Sequence, residues 1–178
     1  VKTFWNGVYL YDFVINDYAD KEVRPNMIWA VGLPFSPLDK RQQKAVVDIC
    51  TKELLTPRGL RSLSPKSGHY RPMYYGNQVE RDRSLHNGVV WPSTIAAYSR
   101  AYMQVYKHSG VAFMERALIG YEQEMSELCI GTRNEFYDGN PPYKGHGGMS
   151  SAPSVASVIS IIDTLKKYNN EQGKEEQQ

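Results

Sequence analysis

The chain has 178 residues, 41% of them hydrophobic, and a formal net charge of +2, which suits one packed domain and is short for two. No basic run is long enough for a nucleic-acid interface, no apolar stretch could span a bilayer, and the start lacks the basic-then-apolar plan of a signal peptide. A cytoplasmic setting without nucleic acid or membrane partners is therefore expected, and Val1 in place of an initiator Met reads as a piece of something longer.

Tyr is the commonest aromatic, with 13 copies. A ring with a polar tip suits half-wet surfaces, carbohydrate clefts among them. Cys50 and Cys129 each fall among the apolar positions of a predicted helix, where a buried free thiol is the default.

Residues 1–24 have no helical period. Val8 to Val14 is β-branched and aromatic between Asn6-Gly7 and Asn16-Asp17, and reads as a short strand or hairpin arm. Pro25 permits a helix, and Asn26 to Leu33 is apolar nearly all round, as in a short buried helix. Pro34-Phe35 breaks it. Ser36 is then the expected N-cap of an amphipathic helix running to about Leu55, with Val46, Val47, Cys50 and Leu54 on one stripe.

Residues 57–90 read as a long aperiodic connection, of the kind that is usually functional or disordered; its rings and mixed charges argue against disorder. Trp91-Pro92 opens a helix with Ile95, Tyr98, Tyr102, Val105 and Tyr106 at the 3–4 spacing, and Ala96, Ala97 and Ala101 permit close approach. After a short turn at His108-Ser109-Gly110 comes a helix whose apolar face carries Met114, Ala117, Leu118, Tyr121, Met125 and Leu128. Glu115, Arg116, Glu122, Glu124 and Glu127 fall mostly on its solvated side.

The stretch Gly131 to Tyr143 carries two carboxylates, an arginine and three rings within turn signals (Asp-Gly, Gly-Asn, Pro-Pro). Rings such as Tyr143 can pack on the apolar faces of pyranoses while a carboxylate such as Glu135 handles a proton. A lone loop Glu is more often an ordinary surface acid, so Glu135 needs support from elsewhere. Ala152-Pro153 opens the last helix, with Val155, Val158, Ile159, Ile162 and Leu165 inward, and from Asn169 the chain is polar and expected to fray.

Long loop, X-Pro, buried helix, short turn, amphipathic helix: this unit begins at Pro25, at Pro92 and at Pro153, a repeat of roughly sixty-odd residues. Alternating inner and outer helices describe an all-α toroid whose long loops gather at one rim, with Arg24, Asn26, His86, Trp91 and Glu135 all on it.

Four stretches in register then resemble the C-terminal part of the amylo-α-1,6-glucosidase domain of glycogen debranching enzymes. They are Arg24-Pro25-Asn26; Leu54 to Leu63; Arg81-Asp82 with His86-Asn87-Gly88-Val89-Val90-Trp91-Pro92; and Asn134-Glu135-Phe136-Tyr137-Asp138-Gly139. The resemblance spans residues 1–168 and leaves out the tail 169–178. It implies somewhat under half of an (α/α)6 toroid and an inverting hydrolase acting on α-1,6-linked glucose stubs of branched α-glucans. It assigns Glu135 as general base, and Asp12, Arg24, Asn26, Asp82, His86 and Trp91 to the glucose pocket. No metal or cofactor is implied. The family's general acid lies in the N-terminal part of the toroid, outside this sequence, so the isolated chain is expected to be inactive and to need that remainder as partner. Leu85, Ser93 and Ser150-Ser151-Ala152-Pro153 depart from the family pattern and bear on aglycone specificity.

Inversion needs one carboxyl to protonate the leaving oxygen and another to activate water. Asp12 and Asp138 are the contenders for the acid within the chain, but Asp12 could instead pair with Arg24, and Asp138 could shape its turn. Four scattered histidines lack metal-ligand spacing. Other readings are a non-catalytic glucan-binding or scaffolding fragment, and a related toroid hydrolase of different specificity. A partial toroid would expose apolar inner-helix surface and self-associate.

Overall fold

The computed structural model describes residues 1–126 and 130–175. The chain starts with a hairpin, β1 (Val14–Ile15) against β2 (Tyr18–Ala19), turning through Asn16 in the left-handed region. Val8–Val14, expected as a short strand or hairpin arm, is mostly irregular, with Leu10 bridged antiparallel to Trp5 and Val14 opening β1.

Pro25 opens a 3-10 turn, Pro25–Ile28, that runs straight into α1 (Trp29–Gly32). The next helix, α2 (Lys40–Glu53), is capped by Asp39 rather than Ser36. The Asp39 carboxylate accepts from Gln42 N–H while the Gln42 side chain accepts from Asp39 N–H, satisfying two orphan donors at once. Val46, Val47, Cys50 and Leu54 are all fully buried, as the stripe predicts. Burial pushes the free Cys50 thiol up to about 12, with the Glu53 carboxylate adding to it. Cys129, Leu128 and Glu127 lie outside the described residues.

The connection 57–90 is not aperiodic. It holds β4 (Gly59–Arg61), paired with β3 (Leu55–Thr56), and α3 (Gln78–His86), which opens with a second reciprocal box between Asn77 and Glu80. Then β5 (Val90–Trp91) leads through the 3-10 turn Pro92–Thr94 into α4 (Ile95–Tyr106). A further 3-10 turn, Lys107–Gly110, joins it to α5 (Val111–Glu124). Last come β6 (Phe136–Tyr137), β7 (Gly145–His146) and α6 (Ala152–Glu175). The final helix continues past Asn169, where fraying is expected from sequence.

An all-α fold is therefore corrected. Strands β3 to β7 form one antiparallel sheet in sequence order. Each is two or three residues long, so the sheet is a tie between loops rather than a layer.

The core is built around α4, which packs on α1, α2 and α6, while α5 packs on α6. Ile95, Ala97, Tyr98, Ala101 and Met103 of α4 are buried. Gly32 makes the α1 crossing possible: a Cβ there would stand 2.5 Å from the Ala97 carbonyl oxygen. The buried Tyr98 hydroxyl shares a hydrogen bond of 2.8 Å with Thr51 Oγ1, which satisfies both groups across α4 and α2. Two packing expectations change. Ile159 is 54% exposed and Ile161 is buried in its stead, and Glu124, expected in solvent, is 6% exposed.

Candidate active site

Two X-Pro helix starts open into one cavity of about 550 Å³. The turn at Pro25 contributes Arg24, Pro25 and Asn26, and the turn at Pro92 contributes Trp91, Ser93 and Thr94. The loop before β1 adds Asp12, and the end of α3 adds His86. Asp12, Arg24, Asn26, His86 and Trp91 are thus brought together from positions up to 79 residues apart (91 − 12).

Arg24 organises this group. Its guanidinium donates to the main-chain carbonyls of His86 and Ser62 and to Asn87 Oδ1 (3.1 Å), and lies 3.8 Å from Asp12 and 3.9 Å from Asp20. A planar fork with five donors suits such a multi-loop clamp. Asp12 also accepts from Asn26 Nδ2 at 2.8 Å. The arrangement of Asp12, Arg24 and Asn26 is pre-set, with the Asn26 side chain exposed to the cavity.

Trp91 is half-buried, and its indole N–H donates to the Leu85 carbonyl at 2.9 Å, which fixes the ring over the end of α3. It also bridges to the Glu135 loop. Val90 pairs with Tyr137 in the sheet, and the Trp91 and Phe136 rings lie 5.2 Å apart. Phe136 packs in turn on Tyr74 and His146.

Glu135 is exposed and does not line the cavity; it sits on the adjoining loop, one residue before Phe136. Its carboxylate accepts from the Gly148 N–H at 3.0 Å, and its own N–H donates to the Gly148 carbonyl at 2.9 Å. Gly147 has φ +71°, and a Cβ there would fall 2.5 Å from Glu135 Oε2, so the turn admits the carboxylate only because it lacks a side chain.

The loop is anchored behind Glu135. Arg133 is fully buried, with its guanidinium 2.8 Å from Glu124 and stacked 4.3 Å from the Tyr121 ring centroid. Glu124 also takes the Arg58 guanidinium at 3.1 Å, and the Ser151 N–H at the start of α6 donates to the Arg133 carbonyl. Burial raises the Tyr137 hydroxyl above its ordinary range, and its bond to the Glu124 carboxylate adds to this, so it stays a neutral acceptor for the Asn134 N–H.

Asp138 is buried. One of its oxygens accepts from the Tyr74 N–H (2.8 Å) and pairs with His146 Nε2 (2.9 Å). Its side chain thus ties the segment at Tyr74 to β7 rather than bonding within its own Asp-Gly turn. His146 passes unremarked in the sequence, where it sits in a glycine-rich extension; its pairing with Phe136 across the Pro141-Pro142 turn is what gives it a role. Asp82 and Tyr143 stand apart from the cavity. Asp82 is exposed on α3 and accepts from Gln78 Nε2, while Tyr143 closes a turn with its N–H on the Asn140 carbonyl.

Among the described residues no three His, Cys, Asp or Glu side chains form a metal-binding group, and no helix is long and apolar enough to cross a membrane. The arrangement can hold a neutral polyol by charge-assisted hydrogen bonds beside a tryptophan face, with an ionisable carboxylate next door.

Residues 1–160 match the family model described as amylo-alpha-1,6-glucosidase. A search of the curated proteins finds no match.

Proposed function

Because the chain belongs to the amylo-alpha-1,6-glucosidase family, we propose that it forms the water-activating side of an inverting α-1,6-glucosidase site within an (α/α)6 toroid. Its substrate is a branched α-glucan carrying a single α-1,6-linked glucose stub. The stub's glucose enters the cavity, where Asp12, Arg24 and Asn26 take its hydroxyls and Trp91 stacks on its apolar face. Asp82 and Tyr143 belong to the wider loop rim, where they meet the glucan beyond that glucose.

Glu135 accepts a proton from a water molecule as that water's oxygen bonds to C1 and the C1–O6 bond breaks. The leaving oxygen takes a proton from a general acid on the other side of the bond. Neither candidate acid in this chain suits that task. Asp12 is committed to Asn26 and Arg24, and Asp138 accepts two hydrogen bonds in a buried setting. The acid in this scheme comes from a segment beyond these residues.

The observation that carries this reading is the convergence of Asp12, Arg24, Asn26, His86 and Trp91 on one cavity, with the sheet setting the Glu135 loop against Trp91. The test is a calorimetric titration with isomaltose, with the Trp91 indole N–H resonance followed beside it wherever Trp91 is present. Trp91→Ala and Asp12→Ala are expected to weaken binding about tenfold or more, while Glu135→Gln keeps it. Isomaltose that leaves the Trp91 resonance unmoved contradicts the assignment. The commitment of both aspartates also favours a second reading, a glucan-binding piece with no turnover. Isomaltose binding fits both readings, and a substrate that needs no acid separates them.

A further inference from the structure

A second cleft is larger than the one just described. It encloses about 870 Å³ between the β1–β2 hairpin, the C-terminal end of α2 and the Ser64–Gly68 turn. That is at the upper end of the ~300–1,000 Å³ found for small-ligand clefts. We infer that it is an accessory site for an α-1,4-linked glucan chain, the main chain from which the branch stub hangs. This rests on the α-glucan reading above.

Tyr9, Tyr11 and Tyr18 line the cleft. Tyr18 is 62% exposed and its ring lies 5.8 Å from that of Phe13, itself 41% exposed. Among the described residues, neither the Tyr11 nor the Tyr18 hydroxyl has a hydrogen-bond partner, whereas Tyr9 donates to the Lys21 carbonyl at 2.7 Å. Glu22 also lines the cleft; one of its oxygens accepts from Ser67 Oγ (2.8 Å), and among the described residues the other has no hydrogen-bond partner. Exposed ring faces with free hydroxyls and a free carboxylate oxygen at their edges match a sugar, which is apolar on its faces and hydroxylated around its rim.

The charge disfavours anionic ligands. The lining holds four carboxylates (Asp17, Asp20, Glu22, Glu53) against two ammonium groups (Lys21, Lys66); Lys66 pairs with Glu53 at 2.5 Å and the Arg24 guanidinium lies 3.9 Å from Asp20, which leaves Asp17 and Glu22 against Lys21. A phosphate, nucleotide or acidic peptide meets net repulsion there. A neutral polyol does not.

Asp20 lines this cleft and the glucose cavity alike. A chain lying across Tyr11 and Tyr18 therefore runs toward the cavity in which the stub would sit.

The experiment is a calorimetric titration of the protein with maltoheptaose, a linear chain with no α-1,6 bond, beside a separate titration with isomaltose. Tyr18→Ala is expected to weaken maltoheptaose about tenfold, the loss of one aromatic anchor, and to leave isomaltose unchanged. Tyr18→Trp should keep maltoheptaose binding, which shows that a ring face is what matters, and Trp91→Ala should affect isomaltose alone. Three results overturn the assignment: maltoheptaose binding unaltered in Tyr18→Ala, both sugars lost together in Trp91→Ala, or tetralysine binding in place of maltoheptaose. If isomaltose fails to bind but maltoheptaose binding still depends on Tyr18, the glucose-cavity reading falls and the cleft assignment stands.

Discussion

Arg133 has no exposed side-chain surface, and Glu124 beside it is 6% exposed; the Glu124 carboxylate also takes the guanidinium of Arg58, which is 21% exposed, so that the three side chains form a cluster. Such a cluster holds only while the carboxylate is present, because an uncompensated buried charge is costly. Glu124→Gln is accordingly expected to lower the unfolding free energy by about 3–5 kcal/mol, measured as a fall in the urea midpoint at unchanged slope. From sequence Glu124 falls among Glu122 and Glu127 on a solvated face, since nothing local marks it. Its partners, Arg58 and Arg133, come from two other loops, and only their convergence turns a surface acid into an anchor. Glu135 differs in that the groups holding it, Gly147 and Gly148, lie only about a dozen residues further along the chain.

At the level of elements, the helices with an apolar stripe were readable and the others were not. The stripe on α2 and the alanine-lined face of α4 carry over into burial because period and packing agree. Strands β3 to β7 are too short to show a period of two, and only their pairing reveals them. Helix α3 has no stripe; of its residues only Ser84 is buried. Its one local signal was the Asn77-x-x-Glu80 box, which stops two donors from going unsatisfied and is what starts a helix lacking hydrophobic drive. Because α3 ends at His86, whose carbonyl Arg24 grips, its cap also supports the cavity. Asn77→Ala should cost about 1 kcal/mol, read as a lower melting temperature. Amide exchange in Gln78–His86 should rise while exchange in α4 stays slow.

For the molecule as a whole, the helix starts at Pro25, Pro92 and Pro153 were legible because proline at a helix start is a strong local signal, although a single helix, not a hairpin, follows Pro153 among the described residues. The sheet that ties their loops, and the cavity between two of those starts, depend on long-range pairing that no local pattern encodes. The same arrangement leaves large apolar side chains in water: Trp29 and Leu33 are 40% and 48% exposed, Phe35 95%, and Ile159 on α6 54%. We expect the chain to self-associate through this surface. Sedimentation velocity should show weight-average mass rising with concentration, and Phe35→Ser with Leu33→Ser should suppress it. The central claim is that these residues supply the base side of an inverting site while the acid comes from elsewhere. α-D-Glucosyl fluoride tests it most directly, because fluoride leaves without being protonated. Water activated by Glu135 would attack C1, the C1–F bond would break, and the carboxylate would take the proton. The prediction is β-glucose as the first product, seen by its anomeric proton, with the rate falling about 10²–10⁴-fold in Glu135→Gln. Release of α-glucose, or a rate that Glu135→Gln leaves unchanged, would contradict it.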